Sequence, residues 1–204
     1  KYGPDATRWY MISNSNPWDN LRFDIDGVDE ISRKFFGTLF NTYSFFVLYA
    51  NIDEFDVNKK NIPITKRPEI DRWIISELNR LIKEVDEAFD KYDATKAARN
   101  ISTFVNDLLS NWYVRLSRRR FWKGVLSNDK LAAYHTLFEC LNKVCRLIAP
   151  LAPFFADRLF LDLNKENRSE VKNSVHLTVF PSSNDRYRDT DLEKKMNYAR
   201  DISS

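Results

Sequence analysis

Glycine is scarce in this chain of 204 residues: there are four, alongside two cysteines, two histidines and no apolar run near the ~20 residues of a membrane span. Each scarcity closes off a class of function. So few glycines leave no GxGxxG and no GxxxxGKS/T, hence no loop that cradles phosphates on backbone N–H groups. Cys140 and Cys145, five apart on one predicted helix, point in different directions and supply neither a disulfide framework nor a zinc quartet. His135 and His176 have no ligand-spaced partners, and no HExxH, nucleophile elbow or supported Ser/His/Asp set occurs. The grouped carboxylates, Asp24 with Asp26 and Asp53 with Glu54 and Asp56, fall in polar turns and read as turn chemistry. The chain is therefore expected to be a binding module, not an enzyme, with no metal or cofactor of its own. A charged start without a signal-peptide apolar segment, together with little cysteine, predicts a soluble, cytoplasmic setting and no membrane partner.

What is abundant is aromatic and basic. Fifteen Phe, nine Tyr and five Trp in a chain that is 43% hydrophobic supply a proper core, and the net charge is only +3. Binding to a polyanion must then come from where the charge lies. It lies in Asn111–Lys123, NWYVRLSRRRFWK, which holds Arg115, Arg118, Arg119, Arg120 and Lys123 among Trp112, Tyr113, Phe121 and Trp122 without one carboxylate. Upstream, Ile101, Phe104, Val105, Leu108, Leu109, Trp112 and Leu116 recur at three- and four-residue steps. The cluster is thus expected on the last turn of a long amphipathic helix and just beyond it, with Trp112 in the core. Guanidinium forks pair with phosphates and aromatic faces stack on unpaired bases, so the cluster reads as an RNA or single-strand contact surface. A solvated helix end is the plainer reading. Trp122, past the helical pattern, either stacks on a base or forms a small cluster with Phe121.

The same spacing predicts helices over Asp5–Met11, Val28–Asn51, Pro68–Phe89 and a segment after Ser127 running to Ile148. Phe36, Phe40 and Phe45 widen the buried face of the second, and Gly37 in its middle predicts close packing against a neighbour. Asp93 is a good N-cap for the helix from Ala94. Ala149-Pro-Leu-Ala-Pro153 must break or kink the fourth long helix, after which a shorter one resumes through Phe154, Phe155, Leu159 and Phe160. Ser174–Phe180 alternates and predicts a short strand. Short links between long helices imply a mainly α, antiparallel, up-and-down bundle.

The segments YGPDATRWYMISNSNPWDNLRFD (2–24), FNTYSFFVLYAN (40–51), RPEIDRWIISELN (67–79), NWYVRLSRRRFW (111–122), LIAPLAPFFAD (147–157) and SVHLTVFP (174–181) together resemble the C-terminal part of isoleucyl-tRNA synthetases, class Ia enzymes. The resemblance runs in order over nearly the whole chain. It implies a helix bundle of the class Ia anticodon-binding type with a short C-terminal strand. It further implies a stem-contact remnant over 1–27, the bundle over 28–163, and a loop, strand and C-terminal helix over 164–204. The partner it implies is isoleucine-specific tRNA, with the remainder of the parent synthetase. The parent would catalyse ATP-dependent ligation using ATP and Mg, and many bacterial members carry Zn in a terminal segment. The HIGH and KMSKS motifs of that family do not occur here, so the chain looks like an excised domain without the chemistry. The implied RNA-binding residues are Arg115, Arg118, Arg119, Arg120, Trp122 and Lys123, with Arg33, Lys34, Asn41 and Asn51 on the first long helix. For Asn41 and Asn51, a polar group satisfied within the bundle or at its end is an equal reading. Two alternatives stand beside it: the same domain of a valyl, leucyl or methionyl enzyme, or a helical scaffold whose arginines meet acidic residues of a protein.

Overall fold

The computed structural model describes residues 1–20, 22–59, 61–122, 124–165 and 173–203, and among them every regular element is helical. At the centre is α4, Glu69–Asp90, with Glu69 and Asp71 in its first turn favouring its N-terminus. Trp73, Ile74, Leu78, Leu81, Ile82 and Val85 recur at helical spacing and all are buried. Around α4 pack α5 (Ala94–Thr103), α7 (Asn128–Ile148) and α9 (Thr190–Ser203). Asp93 caps α5, its carboxylate accepting the Lys96 N–H at 2.9 Å, and Ser127 caps α7 in the same way. The proline-rich stretch does break the helix: α7 ends at Ile148 and α8, Pro153–Leu163, restarts with proline in its first turn.

The two long helices that frame the site are each interrupted by a π-helical stretch. One continuous helix comprises α2 (Ile25–Ile31), a π turn over Ser32–Phe36, and α3 (Gly37–Ile52). The other comprises α5, a π stretch over Phe104–Val114, and α6 (Arg115–Trp122). The two π stretches pack on each other. Gly37 follows the first, and a Cβ there would make ordinary contact with the Ser32 carbonyl of its own helix, with no neighbouring element within 4 Å. Its expected role in helix–helix approach is therefore not seen. Phe40, expected on the buried face, is exposed, whereas Phe36 is buried and Phe45 half-buried.

Helix α1, Gly3–Asn14, is held by its backbone ends. The carbonyls of Ile12 and Ser15 accept from the Thr95 hydroxyl, and those of Ser13 and Asn14 from the Arg99 guanidinium, at 2.8–3.3 Å. These are the acceptors a helix C-terminus leaves open. In turn the buried Asp5 accepts the Phe155 N–H at 2.7 Å, acting as a cap for α8 from another element. Trp9 stacks on Phe35 at 4.2 Å, and α1 shares one core with the rest. A Cβ at Gly27 would overlap the ring of Tyr10, whose hydroxyl is tied to Arg22 and Asp24, so close approach explains this glycine.

The expected strand at Ser174–Phe180 is not formed; Val175–Leu177 is a turn of 3-10 helix. Only Val175 is buried, while Leu177 and Val179 are exposed, so the alternation marks no buried face. The Asp157 carboxylate takes the Val175 N–H, which a partner strand would otherwise pair, and the Ser174 hydroxyl as well. Helix α9, with little apolar pattern, docks through polar groups: Glu193 accepts from Ser76 at 2.5 Å and from Arg188 at 3.0 and 3.2 Å.

Glycine scarcity leaves a mark on two helix ends. α3 and α4 each close with crossed backbone bonds, Phe55 N–H to Ala50 and Glu54 N–H to Asn51, then Asp93 N–H to Ala88 and Tyr92 N–H to Phe89. That closure needs a left-handed residue, normally glycine, and Glu54 (φ 50°) and Tyr92 (φ 58°) occupy the positions. Tyr92 is almost fully exposed, so its ring offsets none of this strain. Tyr92→Gly is expected to stabilise the protein by ~0.5–1 kcal/mol, read as a higher midpoint in chemical denaturation.

Candidate nucleic-acid interface

The register of α6 decides which of its side chains meet solvent. In the π stretch each N–H reaches back five residues instead of four, so the buried stripe advances further per turn than an α-helix allows. Leu108, Leu109, Tyr113, Val114, Ser117 and Phe121 are buried as a result. The α spacing predicted Trp112 and Leu116 at those places. Trp112 is instead half-buried, its indole N–H on the Met196 sulfur at 3.2 Å and Arg200 over its ring, and Leu116 is exposed. The helix also runs through to Trp122, so the arginines sit within α6 and not beyond its end.

On the outward side, Arg115, Arg118, Arg119 and Trp122 are all exposed, with Arg118 and Arg119 each three or four residues from both Arg115 and Trp122. None of the three arginines pairs with a carboxylate among the described residues. Phe121 and Trp122 part company. Phe121 is fully buried, edge-on to Tyr134 at 5.0 Å and to Phe45 at 5.1 Å, while Trp122 is 58% exposed and outside that cluster.

Arg120 is the exception in the basic run. Its Nη1 and Nη2 each lie 2.7 Å from the two oxygens of Asp71, and it also donates to the Asp129 carboxylate at 3.0 Å and carbonyl at 2.7 Å. Asp71 is fully buried and accepts a further bond, 2.7 Å, from the Tyr113 hydroxyl. Burial works against the Arg120 charge, but the hydrogen bonds and charge of Asp71 outweigh it and hold the guanidinium above its ordinary value. Burial, then the Asp71 charge, pushes the Tyr113 phenol well up, so it stays a neutral donor. Expected on an RNA surface, Arg120 is committed to the interior. The local run has no acid, but α4 and α7 bring two to it.

The first long helix divides the remaining expected residues. Asn41 shares a face with Phe45, Leu48 and Ile52, and Phe45 and Tyr49 lean on Phe121, so Asn41 is exposed on the part of α3 that flanks α6. Asn51, also exposed, lines a cleft of about 560 Å3 on the other flank of α3, with Tyr43, Phe46, Phe55, Phe138 and Lys165. Arg33 and Lys34 are not brought to this end. Both lie on the π turn, where Asp29 neutralises Arg33 at 2.7 Å and Glu30 neutralises Lys34 at 2.6 Å, and Lys34 lines a cleft with Ser102 and Asn106. Lys123 lies outside the described residues. Sequence reasoning missed Asp71, Asp129 and Tyr113, the groups that fix α6, because they join it from far along the chain or from within its own apolar stripe. Cys140 and Cys145 are both fully buried on α7, and burial raises both thiols.

Residues 71–204 match the family model described as the anticodon-binding domain of tRNA ligase. The chain is 57% identical over 204 residues to the isoleucine–tRNA ligase of Bacteroides thetaiotaomicron, covering 100% of this chain and 18% of that protein. It is 56% identical to that of Cytophaga hutchinsonii and 46% identical to that of Dehalococcoides mccartyi, again over 204 residues. The chain thus spans about a fifth of the length of these curated relatives. Among solved structures, a LeuRS from Agrobacterium radiobacter K84, in a ternary complex with tRNA and LeuAMS, superposes with a TM-score of 0.65 at 18% identity. The match covers 91% of this chain and 20% of that one, and it shows a shared fold.

Removing Arg120 would leave Asp71 charged and uncompensated in the interior. Arg120→Ala is expected to cost ~3–5 kcal/mol in urea denaturation. Arg120→Lys is expected to recover only part of that, because a point charge cannot reproduce the paired bonds of the fork.

Proposed function

Since this chain belongs to the family of anticodon-binding domains of tRNA ligases, we propose that it is the domain that docks the anticodon stem and loop of isoleucine tRNA in an isoleucine–tRNA ligase. The observation that carries this reading is the exposed face of Arg115, Arg118, Arg119 and Trp122, three guanidinium groups with no carboxylate partner among the described residues beside one uncovered indole. The arginines grip loop phosphates and Trp122 stacks on a splayed base, the sequence-tolerant mode that single-stranded RNA favours. Asn41, with two amide donors and two acceptor lone pairs on the neighbouring helix, can read a base edge. Asn51 serves at the cleft beyond it, and Lys123 adds a phosphate contact. Arg120 acts through α6, holding the face in position. Identity of 56–57% to isoleucine-specific enzymes supports isoleucine tRNA over the tRNAs of the valyl, leucyl or methionyl siblings.

In this reading residues 1–27 are the stem-contact region, 28–163 the anticodon-binding bundle with helices alternating up and down, and 164–204 the lead to a following segment. The parent enzyme ligates isoleucine to tRNA at the expense of ATP, in the cytoplasm. ATP and magnesium belong to its catalytic part, and zinc to a terminal segment in many bacterial members. The sequence has no glycine-rich phosphate loop, and among the described residues no cluster of three His, Cys, Asp or Glu occurs. None of the described helices is long and apolar enough to cross a membrane.

The tRNA affinity of the 204-residue chain should fall linearly in log–log form with salt. Arg118→Ala with Arg119→Ala is expected to flatten that slope by ~0.7–0.9 for each phosphate no longer neutralised. Binding to an acidic protein partner would give no such tRNA dependence. Trp122→Ala is expected to leave stability within about 0.5 kcal/mol and to weaken tRNA binding by ~1–3 kcal/mol, measured by denaturation and titration of the same variant. The chain alone is expected to show no isoleucine-dependent ATP–pyrophosphate exchange.

A further inference from the structure

The π stretch that turns Tyr113 inward leaves Trp112 half-buried, and helix α9 covers part of its indole. α9 is anchored at its start, where Leu192 is buried and Glu193 takes its bonds from Ser76 and Arg188. Past Glu193 every described residue of α9 is exposed except Met196 and Arg200. These two, one turn apart, both meet Trp112. The Met196 sulfur accepts the indole N–H at 3.2 Å, and the Arg200 guanidinium lies over the ring, 5.9 Å from its centre.

The chain has two cysteines and two methionines. Cys140 and Cys145 are fully buried, and burial raises both thiols, which keeps them from the thiolate form that oxidants attack. Met11 is 52% exposed, and its sulfur accepts no hydrogen bond among the described residues. Met196 differs from all three: its side chain is partly exposed, and a contact between distant elements depends on its sulfur. A hydrogen bond from nitrogen to oxygen takes about 2.9 Å by itself. With the sulfur and the indole nitrogen already at 3.2 Å, an oxygen added to the sulfur either forces them apart or turns away and leaves the N–H unpaired. A sulfoxide is also polar where the thioether was apolar, and Met196 packs against the core.

We propose that Met196 is a reversible oxidation site: hydrogen peroxide converts its thioether to the sulfoxide, which releases the second half of α9 from Trp112, and a dithiol-dependent reductase restores it. A sulfur lone pair attacks one peroxide oxygen, so that an S–O bond forms as the O–O bond breaks. The displaced hydroxide takes the proton left on the transferred oxygen and departs as water. Sulfur gives up two electrons and the peroxide gains them. In the return step two thiols become a disulfide and the sulfoxide oxygen leaves as water. The anchor at Glu193 stays in place throughout, so the fold persists while the chain beyond Met196 comes free of the Ala94–Trp122 helix. This latch is independent of what α6 binds.

The test treats the 204-residue chain with hydrogen peroxide and follows each sulfoxide by peptide mass spectrometry. Amide hydrogen exchange is read before oxidation, after it, and after incubation with both methionine sulfoxide reductases, one for each epimer, and dithiothreitol. With one lone pair engaged, Met196 is expected to oxidise about 3- to 10-fold more slowly than Met11. Its oxidation is expected to speed exchange over residues 197–203 by about 10-fold or more, to leave residues 74–85 unchanged, and to be reversed by the reductases. Met196→Leu, close in volume and without the sulfur, is expected to show no change of exchange with peroxide, whereas Met11→Leu responds as the parent does. The site is refuted if Met196 is oxidised and residues 197–203 exchange as before, or if the rise persists in Met196→Leu or vanishes in Met11→Leu. It is refuted as well if Met196 stays wholly reduced at about tenfold the peroxide that converts Met11. A rise shared equally by residues 74–85 marks general unfolding and refutes the latch too.

Discussion

Asp71 is a carboxylate held at zero exposure in the first turn of the central helix, and it receives three donors from a single partner helix: two from Arg120 and one from Tyr113. A buried pair of this kind is weak evidence for net stability, since replacing it with apolar groups is often neutral. Its value lies in direction. Tyr113 and Arg120 are seven residues apart, two helical turns, and both must point at one carboxylate, so α6 can neither rotate nor slide without leaving a charge unpaired in the interior. Phe121 adds a packed ring beside the clamp, against Tyr134 and Phe45. With one side fixed, the other follows: Arg115, Arg118, Arg119 and Trp122 are presented outward as a set.

Pairing sorts the cations of this molecule by task. Where an arginine meets a carboxylate in the interior, as Arg120 with Asp71 or Arg188 with Glu193, it joins elements distant in the chain or braces a helix end. Where it sits on a surface i,i+4 pair, as Arg33 with Asp29, solvent screens the interaction and the pair adds little to stability, but its charge is offset. The cations left over on the Ala94–Trp122 helix keep their field, with no carboxylate partner among the described residues. A modest net charge thus conceals a strongly basic stripe.

Much of the fold was legible because it depends on local chemistry. The apolar spacing of α4, the Asp93 cap and the proline break after Ile148 need no knowledge of neighbours, and each appears where the residues put it. The strand at Ser174–Phe180 failed because alternation carries a strand only when a partner edge exists, and Asp157 took the Val175 N–H instead. Within the site, Arg115, Arg118, Arg119 and Trp122 could be singled out from composition alone. Their register could not. A spacing rule tuned to 3.6 residues per turn places Trp112 and Leu116 inside, and eleven residues of π-helix move the stripe to Tyr113 and Ser117. Arg120 was misassigned for a different reason: its partners lie 49 and 9 residues away, and no local pattern reveals them.

The central claim is that a clamp on one side of α6 presents an RNA-binding face on the other. Backbone amide chemical-shift mapping, in which the anticodon stem–loop of isoleucine tRNA is titrated into the labelled chain, tests it in one measurement. The largest shifts should fall on residues 115–122 and on the flanking part of α3 around Asn41 to Ile52, with residues 68–80 and 184–196 essentially still. Largest shifts on α9 and the α4 surface it covers, with residues 115–122 unmoved, would contradict the account.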